Sequence, residues 1–305
     1  MKQPRYRGRF APSPTGPLHF GSLVTALASW LEARTAGGDW LVRIEDLDPL
    51  RDPPEATSQI LETLDRHGLI SDEPIRYQSD RHDAYQHAVN TLLASGKAYH
   101  CHCSRKELKA HQGRHPNHCR TTPRAQNHGP SAIRFALSEQ DCQWQDQLLG
   151  PQRQQVRAEL DDPVILRKEG FFAYQLAVVV DDIDQGITDV VRGSDLLGMT
   201  AQQQQIYRAL RAQPPRWLHI PVIVNEQGQK LSKQTHAPAL DNRTPAGNLL
   251  RALEALGQHP PPALASAQVA DILNWAQTHW QRQALPLTSR RAHGINPDTP
   301  IRPDR

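Results

Sequence analysis

Hydrophobic positions first recur at helical spacing between residues 22 and 34, where Leu23, Ala26, Leu27, Trp30 and Leu31 share one face. Upstream, residues 7–11 read as a short strand, and Pro12-Ser13-Pro14-Thr15-Gly16-Pro17 can only be a loop. Downstream, Gly37-Gly38 ends the helix and residues 40–44 return to an apolar, extended run. Strand, loop, helix and strand in this order make a βαβ unit of a parallel sheet. The ligand crevice of such a unit lies in the loop after its first strand.

Helical patterns continue at 54–67 and 81–95, and residues 97–128 then lose apolar periodicity and become cationic and rich in Cys and His. Such a segment is expected to need a metal to fold. Short strands are expected at 132–137 and 163–175, and Leu176-Ala177-Val178-Val179-Val180, closed by Asp181-Asp182, reads as a fully buried parallel strand. Residues 189–193 give a further strand, and 201–211 a helix on which Gln202, Gln203, Gln204 and Gln205 form a solvated face. From residue 238 the composition shifts to two helices, 246–256 and 267–280. A tail from 290 carrying Pro297, Pro300 and Pro303 is expected to be disordered. There is no internal repeat.

At 305 residues, 38% hydrophobic and 22% charged, the chain can bury one large or two modest cores. The aliphatic stretch 176–180 is far short of the roughly 20 apolar residues that span a bilayer, so no membrane association is expected. The basic start (Lys2, Arg5, Arg7, Arg9) leads straight into Ala11-Pro12-Ser13-Pro14 rather than an apolar segment, which makes the cytoplasm the default address. A net charge of +3 permits nucleic-acid contact without demanding it. Only seven of the 35 cations are Lys, and Arg suits bidentate recognition of carboxylate and phosphate.

Two loops carry the candidate chemistry. In Arg9-Phe10-Ala11-Pro12-Ser13-Pro14-Thr15-Gly16-Pro17-Leu18-His19-Phe20-Gly21-Ser22, Gly and Pro turn the backbone, Gly21 leaves room for a nucleotide, and a helix N-terminus favours phosphate. His19 can donate to phosphate oxygens as charge builds in phosphoryl or adenylyl transfer. More than 200 residues downstream, Asn225-Glu226-Gln227-Gly228 projects a loop with Lys230-Leu231-Ser232-Lys233-Gln234, whose ammonium groups can meet the α-phosphate of ATP. The cysteines add a third element: Cys101-His102-Cys103, fifteen residues, then Cys119, with His115 four residues before it. Three thiolates and one imidazole make a closed tetrahedral site of the structural Zn2+ type. His100, His102, His111 and His118 compete with His115 for the fourth position, and Cys142 stands outside the pattern.

The segment from Phe10 to Gly21 resembles the signature of class I glutamyl-tRNA synthetases, and Lys230 to Gln234 resembles their second, KMSKS-type signature. The likeness extends through Leu41-Val42-Arg43-Ile44-Glu45-Asp46-Leu47-Asp48, through 172–182 and through Val191-Arg192-Gly193-Ser194-Asp195-Leu196, about residues 7–240 in all. The chain departs from the pattern at Ser22, where that family has a second His, and at His115, where it commonly has a Tyr zinc ligand. Only about 60 residues follow the last motif, too few for an anticodon-binding region. This makes the chain similar to the short members that attach glutamate to queuosine in the anticodon loop of tRNA(Asp).

The resemblance implies an α/β fold: a Rossmann-like nucleotide-binding domain with a parallel sheet, a zinc-containing α+β insertion and a small C-terminal helical appendage. It divides the chain into a first catalytic half (1–97), a zinc-binding segment (98–130) within an acceptor-binding-like insertion of about 98–165, a second catalytic half with the Lys230 loop (166–240), and the appendage with its tail (241–305). It implies that Arg9, Phe10, Ala11, Pro12, Ser13, Glu45, Tyr174 and Arg192 bind L-glutamate. His19, Gly21, Lys230, Ser232 and Lys233 would bind ATP with Mg2+, His19 and Lys233 being catalytic. Arg9 and Arg192 suit the carboxylates of glutamate, Glu45 its ammonium group and Tyr174 a hydrogen bond, with Ser13 closing the pocket. The expected products of activation are glutamyl-adenylate and pyrophosphate. A truncated enzyme charging tRNA(Glu), or a decayed zinc-stabilised tRNA-binding module, are the alternatives. A monomer is the default.

Overall fold

The computed structural model describes residues 5–48, 52–111, 115, 118–121, 130–156, 161–225, 230–231, 238–288 and 290–291. Strand β1 (Arg7–Phe10) leads through helix α1 (Phe20–Thr35) to β2 (Asp39–Ile44), which runs parallel to β1 with Arg7 against Asp39 and Phe10 against Val42. After α2 (Ala56–Arg66), β3 (Arg76–Tyr77) extends the sheet in parallel on the far side of β2. This is the expected βαβ unit with one strand added.

Helix α3 (His82–Ala94) leads into β4 (Ala98–Cys101), α4 (Arg105–Ala110) and α5 (His118–Thr121). Strands β5 (Ala132–Phe135), β6 (Asp141–Asp146), β7 (Gly150–Gln155) and β8 (Val164–Leu166) follow. Next come α6 (Tyr174–Asp184), β9 (Asp189–Gly193), α7 (Thr200–Ala209), β10 (Arg216–Ile220) and β11 (Ile223–Val224), then α8 (Pro245–Ala255), α9 (Val269–His279) and β12 (Arg290–Arg291). Strands β4, β5 and β8 form a small antiparallel sheet.

A second large sheet has the order β7-β6-β10-β9, with β6, β10 and β9 parallel and β7 an antiparallel edge. Its β9 edge lies beside β1: Thr188 N–H donates to Arg7 O at 2.9 Å, and Arg7 N–H donates to Thr188 Oγ1 at 2.8 Å. The two sheets thus meet edge to edge at β1 and β9. The loops that follow these strands line one cavity, at the position where an open α/β fold holds its ligand.

Two apolar cores flank this seam. One joins α1, β1 and β2 to α8 and α9 through Leu27, Leu31, Leu249, Leu253, Ile272 and Leu273. The helices of the expected appendage therefore share their core with α1. The other core packs α3 and α6 on β9, β10 and the small sheet through Tyr85, Phe135, Leu176, Val179, Val190 and Trp217.

Two expectations are overturned. Residues 176–180 are not a parallel strand but the middle of helix α6, which also takes Tyr174 and Gln175 from the expected 163–175 strands. Leu176, Ala177, Val178, Val179, Asp181 and Asp182 are all buried. Four consecutive buried aliphatic residues show no helical period of their own, and a short run of Val then mimics a strand. The run Gln202 to Gln205 is not a solvated face either, because Gln203, Gln204 and Gln205 are buried. Each has partners: Gln203 Oε1 accepts from Arg192, Gln204 Oε1 from Arg208, and Gln205 Oε1 from Ser138 N–H. Buried amides persist when their hydrogen bonds are made. The tail expected to be disordered lies outside the described residues beyond 291.

Candidate active site

A cavity of about 860 Å³ opens over the seam between β1 and β9. The end of β1 and the loop after it contribute Arg9 to Ser13, the start of α1 contributes His19, Gly21 and Ser22, the end of β2 leads to Glu45, α6 contributes Tyr174, and β9 with the turn after it contributes Arg192, Gly193, Asp195 and Leu196. Lys230 and Leu231 close one side. Residues that the sequence scatters over more than 200 positions are thus gathered around one space.

His19 is the N-cap of α1. Its Nδ1 accepts from Ser22 N–H at 3.2 Å, which puts the ring proton of the neutral form on Nε2, 3.2 Å from Ser22 Oγ. Ser22 thus stands in direct contact with the imidazole. A side chain at Gly21 would place its Cβ 3.2 Å from His19 Cε1, so the imidazole would have to shift by a few tenths of an ångström to make room for it.

Arg9, on β1, is buried and donates through Nε to both oxygens of Asp182 at 3.1 and 3.3 Å. Asp182 also accepts from Arg43 Nη2 at 2.7 Å and Tyr207 O–H at 3.0 Å. Burial alone would raise the Asp182 carboxyl, but Arg9 and Arg43 hold it below its ordinary pKa. Glu45 is tied to the opposite loop by its N–H, which donates to Pro12 O at 3.0 Å. Its carboxylate lies 3.8 Å from Arg43 Nη2, and Oε1 accepts no hydrogen bond among the described residues. Burial outweighs Arg43 and Arg9 and lifts Glu45 to about 7.

Arg192 enters from β9 with its guanidinium 4.5 Å from the ring of Trp217. It donates to Gln203 Oε1, Thr200 Oγ1, Leu196 O and His219 Nε2. Tyr174 is half-buried at the first turn of α6, and desolvation raises its hydroxyl pKa. Lys230 Nζ pairs with Asp195 Oδ2 at 2.5 Å. Both ends of the second loop are anchored beside His19: Leu231 N–H donates to Ile223 O, and Ala239 bridges to His19. Ser232, Lys233 and Gln234 themselves lie outside the described residues.

The cysteines converge at the end of the small sheet. Ligand atoms of Cys101, Cys103, His115 and Cys119, all buried, lie within 4.8 Å of one another. Among the described residues this is the group that could hold a metal ion, and His100, His102, His111 and His118 are not in it. His118 does reach Cys103 Sγ at 3.5 Å. Cys103 and Cys119 sulfurs are 3.6 Å apart, close to the roughly 3.8 Å of two thiolates at about 2.3 Å from a tetrahedral ion. Tyr99 O–H donates to Asp162 at 2.8 Å, so its contact with His115 Nδ1 at 3.3 Å is one in which the ring donates. This makes Nε2 the nitrogen with the lone pair. Cys142 is buried apart from the cluster.

The model of the family described as tRNA synthetases class I (E and Q), catalytic domain, matches residues 5–244. The chain belongs to this family. Two relatives of the family, from Pseudomonas aeruginosa strain LESB58 and from Pseudomonas fluorescens, are each named glutamyl-Q tRNA(Asp) synthetase and each 48% identical to this chain. The first alignment covers 92% of this chain and 95% of the relative, the second 93% and 94%. Among solved structures, a glutamate tRNA ligase from Elizabethkingia meningosepticum in complex with its amino acid superposes with a TM-score of 0.79 at 25% identity. It is matched over 94% of this chain and 67% of its own length. Methionyl-tRNA synthetase from Mycobacterium tuberculosis shares the fold at a TM-score of 0.54 and 13% identity, over 83% of this chain and 64% of its own.

Behind the pocket lie polar side chains for which the sequence suggested no role: Asp182 and Arg43, although both fall inside the motif segments, and Gln203, Thr200, His219 and Asp146. Of these, His219 left a legible signal, a lone imidazole inside the apolar strand Trp217-Leu218-His219-Ile220.

Proposed function

We propose that this protein activates L-glutamate with ATP to glutamyl-adenylate and transfers the glutamate to queuosine in the anticodon loop of tRNA(Asp). The observation that carries the reading is a pocket with two buried guanidinium groups, Arg9 and Arg192, and a buried carboxylate oxygen of Glu45 that has no hydrogen-bond donor among the described residues, beside His19 at the start of α1. Two cations and one anion complement a substrate with two carboxylates and one ammonium group. Glutamine would leave a guanidinium unpaired and be rejected. Phe10, Ala11, Pro12, Ser13 and Tyr174 complete this end of the pocket.

In the activation step a glutamate α-carboxylate oxygen attacks the ATP α-phosphorus. The new O–P bond forms as the bond to the β-phosphate breaks, and pyrophosphate leaves. His19, Gly21, Lys230, Ser232 and Lys233 hold the nucleotide with Mg2+, and His19 and Lys233 stabilise the charge that builds on phosphorus. A queuosine hydroxyl then attacks the anhydride carbonyl, releasing AMP. Coverage of 95% of a relative named for tRNA(Asp), against 67% of a glutamate tRNA ligase, favours this acceptor over tRNA(Glu). The intact set of charged pocket residues speaks against a decayed binding module.

Cys101, Cys103, His115 and Cys119 would hold one Zn2+, a structural ion that fastens the loops around α4 and α5 to the small sheet. The chain reads as two catalytic halves (1–97 and 166–240) around the insertion of about 98–165, followed by the helices from 241. It acts as a cytoplasmic monomer; no helix among the described residues is long and apolar enough to cross a membrane.

Glutamate-dependent exchange of pyrophosphate into ATP tests the reading, with and without tRNA. Exchange without tRNA, followed by glutamate transfer to queuosine-bearing tRNA(Asp), is expected. Exchange that requires tRNA(Glu) would establish the truncated charging enzyme instead, and no exchange in either case the binding module.

A further inference from the structure

Behind Arg192 lies a chain of buried polar groups that no part of the activation chemistry uses. His219, in the middle of β10, is fully buried. Its Nδ1 lies 2.6 Å from Asp146 Oδ2, and its Nε2 lies 2.9 Å from Arg192 Nε. An arginine Nε can only donate, so Nε2 of His219 is the acceptor and the ring proton sits on Nδ1, donated to Asp146. Asp146, at the end of β6, is itself fixed: Oδ1 accepts from Leu148 N–H at 3.0 Å and Leu149 N–H at 2.9 Å. Backbone of the β6–β7 turn thus sets the carboxylate, the carboxylate sets the tautomer, and the tautomer decides whether Arg192 has an acceptor.

The remaining donors of Arg192 are used in the same directed way. Nη2 gives its protons to Leu196 O and Thr200 Oγ1, and Nη1 gives one to Gln203 Oε1. Trp217 covers one face of the guanidinium. Among the described residues four of its five N–H groups are held by protein, and Arg192 lines the cavity. A guanidinium held at four points cannot swing to follow a ligand; it offers one edge in one place.

We infer that His219, locked as its Nδ1–H tautomer by Asp146, is a positioning residue for Arg192 and thereby for the glutamate carboxylate. The inference rests on the reading of Arg192 as a carboxylate binder. With this support the energy of ordering Arg192 is spent in folding rather than in binding. If the acceptor is lost, or if Nε2 becomes a donor, the Nε–H of Arg192 faces no lone pair and the guanidinium leaves its position.

Three variants test this by glutamate and ATP kinetics in the exchange assay, each with its unfolding midpoint measured. Asp146→Asn reverses the tautomer and is expected to raise the glutamate KM about tenfold or more, with ATP KM unchanged and kcat within about twofold. His219→Leu removes the acceptor and should do the same. His219→Gln restores an acceptor toward Arg192 and a donor toward Asp146, and should return the glutamate KM to within about threefold. In an Arg192→Ala background, His219→Leu should add nothing further. The inference is overturned if Arg192→Ala raises the glutamate KM while Asp146→Asn and His219→Leu leave it at the wild-type value. It is equally overturned if the two effects simply multiply, or if kcat and both KM values worsen together, as a structural role would require. A wild-type glutamate KM in Arg192→Ala would instead sink the reading of Arg192 itself, and this inference with it.

Discussion

Arg9 Nε and Asp182 Oδ1 lie 3.1 Å apart with both side chains buried, and the same oxygen accepts from Arg43 Nη2 at 2.7 Å. One carboxylate from α6 therefore holds a pocket arginine from β1 and a core arginine from β2. Breaking a buried pair by removing one partner leaves the other charge uncompensated, at a cost of about 3–5 kcal/mol. Asp182→Ala is expected to lose stability of that order in urea unfolding. Asp182→Asn keeps the shape, and should fold while raising the glutamate KM about tenfold as Arg9 loses its anchor. An Asp182→Asn enzyme with wild-type glutamate kinetics would show that Arg9 is held by something other than this carboxylate.

Arg192 and Glu45 line the same cavity, from β9 and from the end of β2, and on the proposed reading truncating either removes a charged contact to glutamate while leaving ATP untouched. Loss of one partner from a desolvated charge pair costs ~3 kcal/mol, which is about a hundredfold. Arg192→Ala and Glu45→Ala are each expected to raise the glutamate KM by about that factor with little change in ATP KM. Near-normal glutamate kinetics in both variants would remove the proposed glutamate pocket.

Much of this site was legible because its chemistry sits in loops whose residue types have few other uses. The Pro/Gly loop before His19 and the spacing of Cys101, Cys103 and Cys119 point to a strand–loop–helix site and a metal cluster without coordinates. The βαβ unit was legible because α1 is sixteen residues long and lies between a Pro/Gly loop and Gly37-Gly38, whereas α6 has eleven residues and its central Leu176 to Val180 run is as short and aliphatic as a buried strand. Gln203 could not be placed by pattern at all. Its burial depends on Arg192, eleven residues away on another element, and no local period encodes a partner. His219 and Asp146 were missed for this reason too, since their meaning lies in the tautomer that only the assembled sheet defines.

The metal cluster makes a separate prediction. Burial, reinforced by the hydrogen bond with Cys119 and the neighbouring Cys101, pushes the Cys103 thiol up to about 12, so without an ion it is protonated at neutral pH. A bound ion must displace such protons, and its apparent affinity falls with pH by about tenfold per unit for each proton released. The purified protein is expected to carry one zinc per chain by elemental analysis and to lose it in Cys119→Ser. Zinc reloading of the stripped protein should be weaker at pH 6 than at pH 8. A stable zinc-free protein, or zinc retained in Cys119→Ser, would refute the four-residue site.

On the proposed reading, Glu45 sets the pH dependence of glutamate binding. Its carboxyl is raised from 4.5 to about 7, first by burial, and Arg43 and Arg9 only partly offset this. An acid whose pKa is higher folded than unfolded binds more protons in the folded state between the two values. Its contribution to stability is therefore fully present below about 4.5 and is lost as pH rises through about 7. Above that pH the folded protein holds a buried carboxylate that the ammonium group of glutamate can pair with, and the substrate recovers in binding what the empty pocket gave up in stability. The glutamate KM should accordingly fall as pH rises from 6 to 7.5, with the proton released on binding visible as a buffer-dependent heat in calorimetry. Glu45→Gln should raise the KM and flatten this dependence, and should be the more stable variant above pH 7 because no charge is buried. If Glu45→Gln keeps the wild-type pH profile, the proton belongs to another group and Glu45 is ionised throughout.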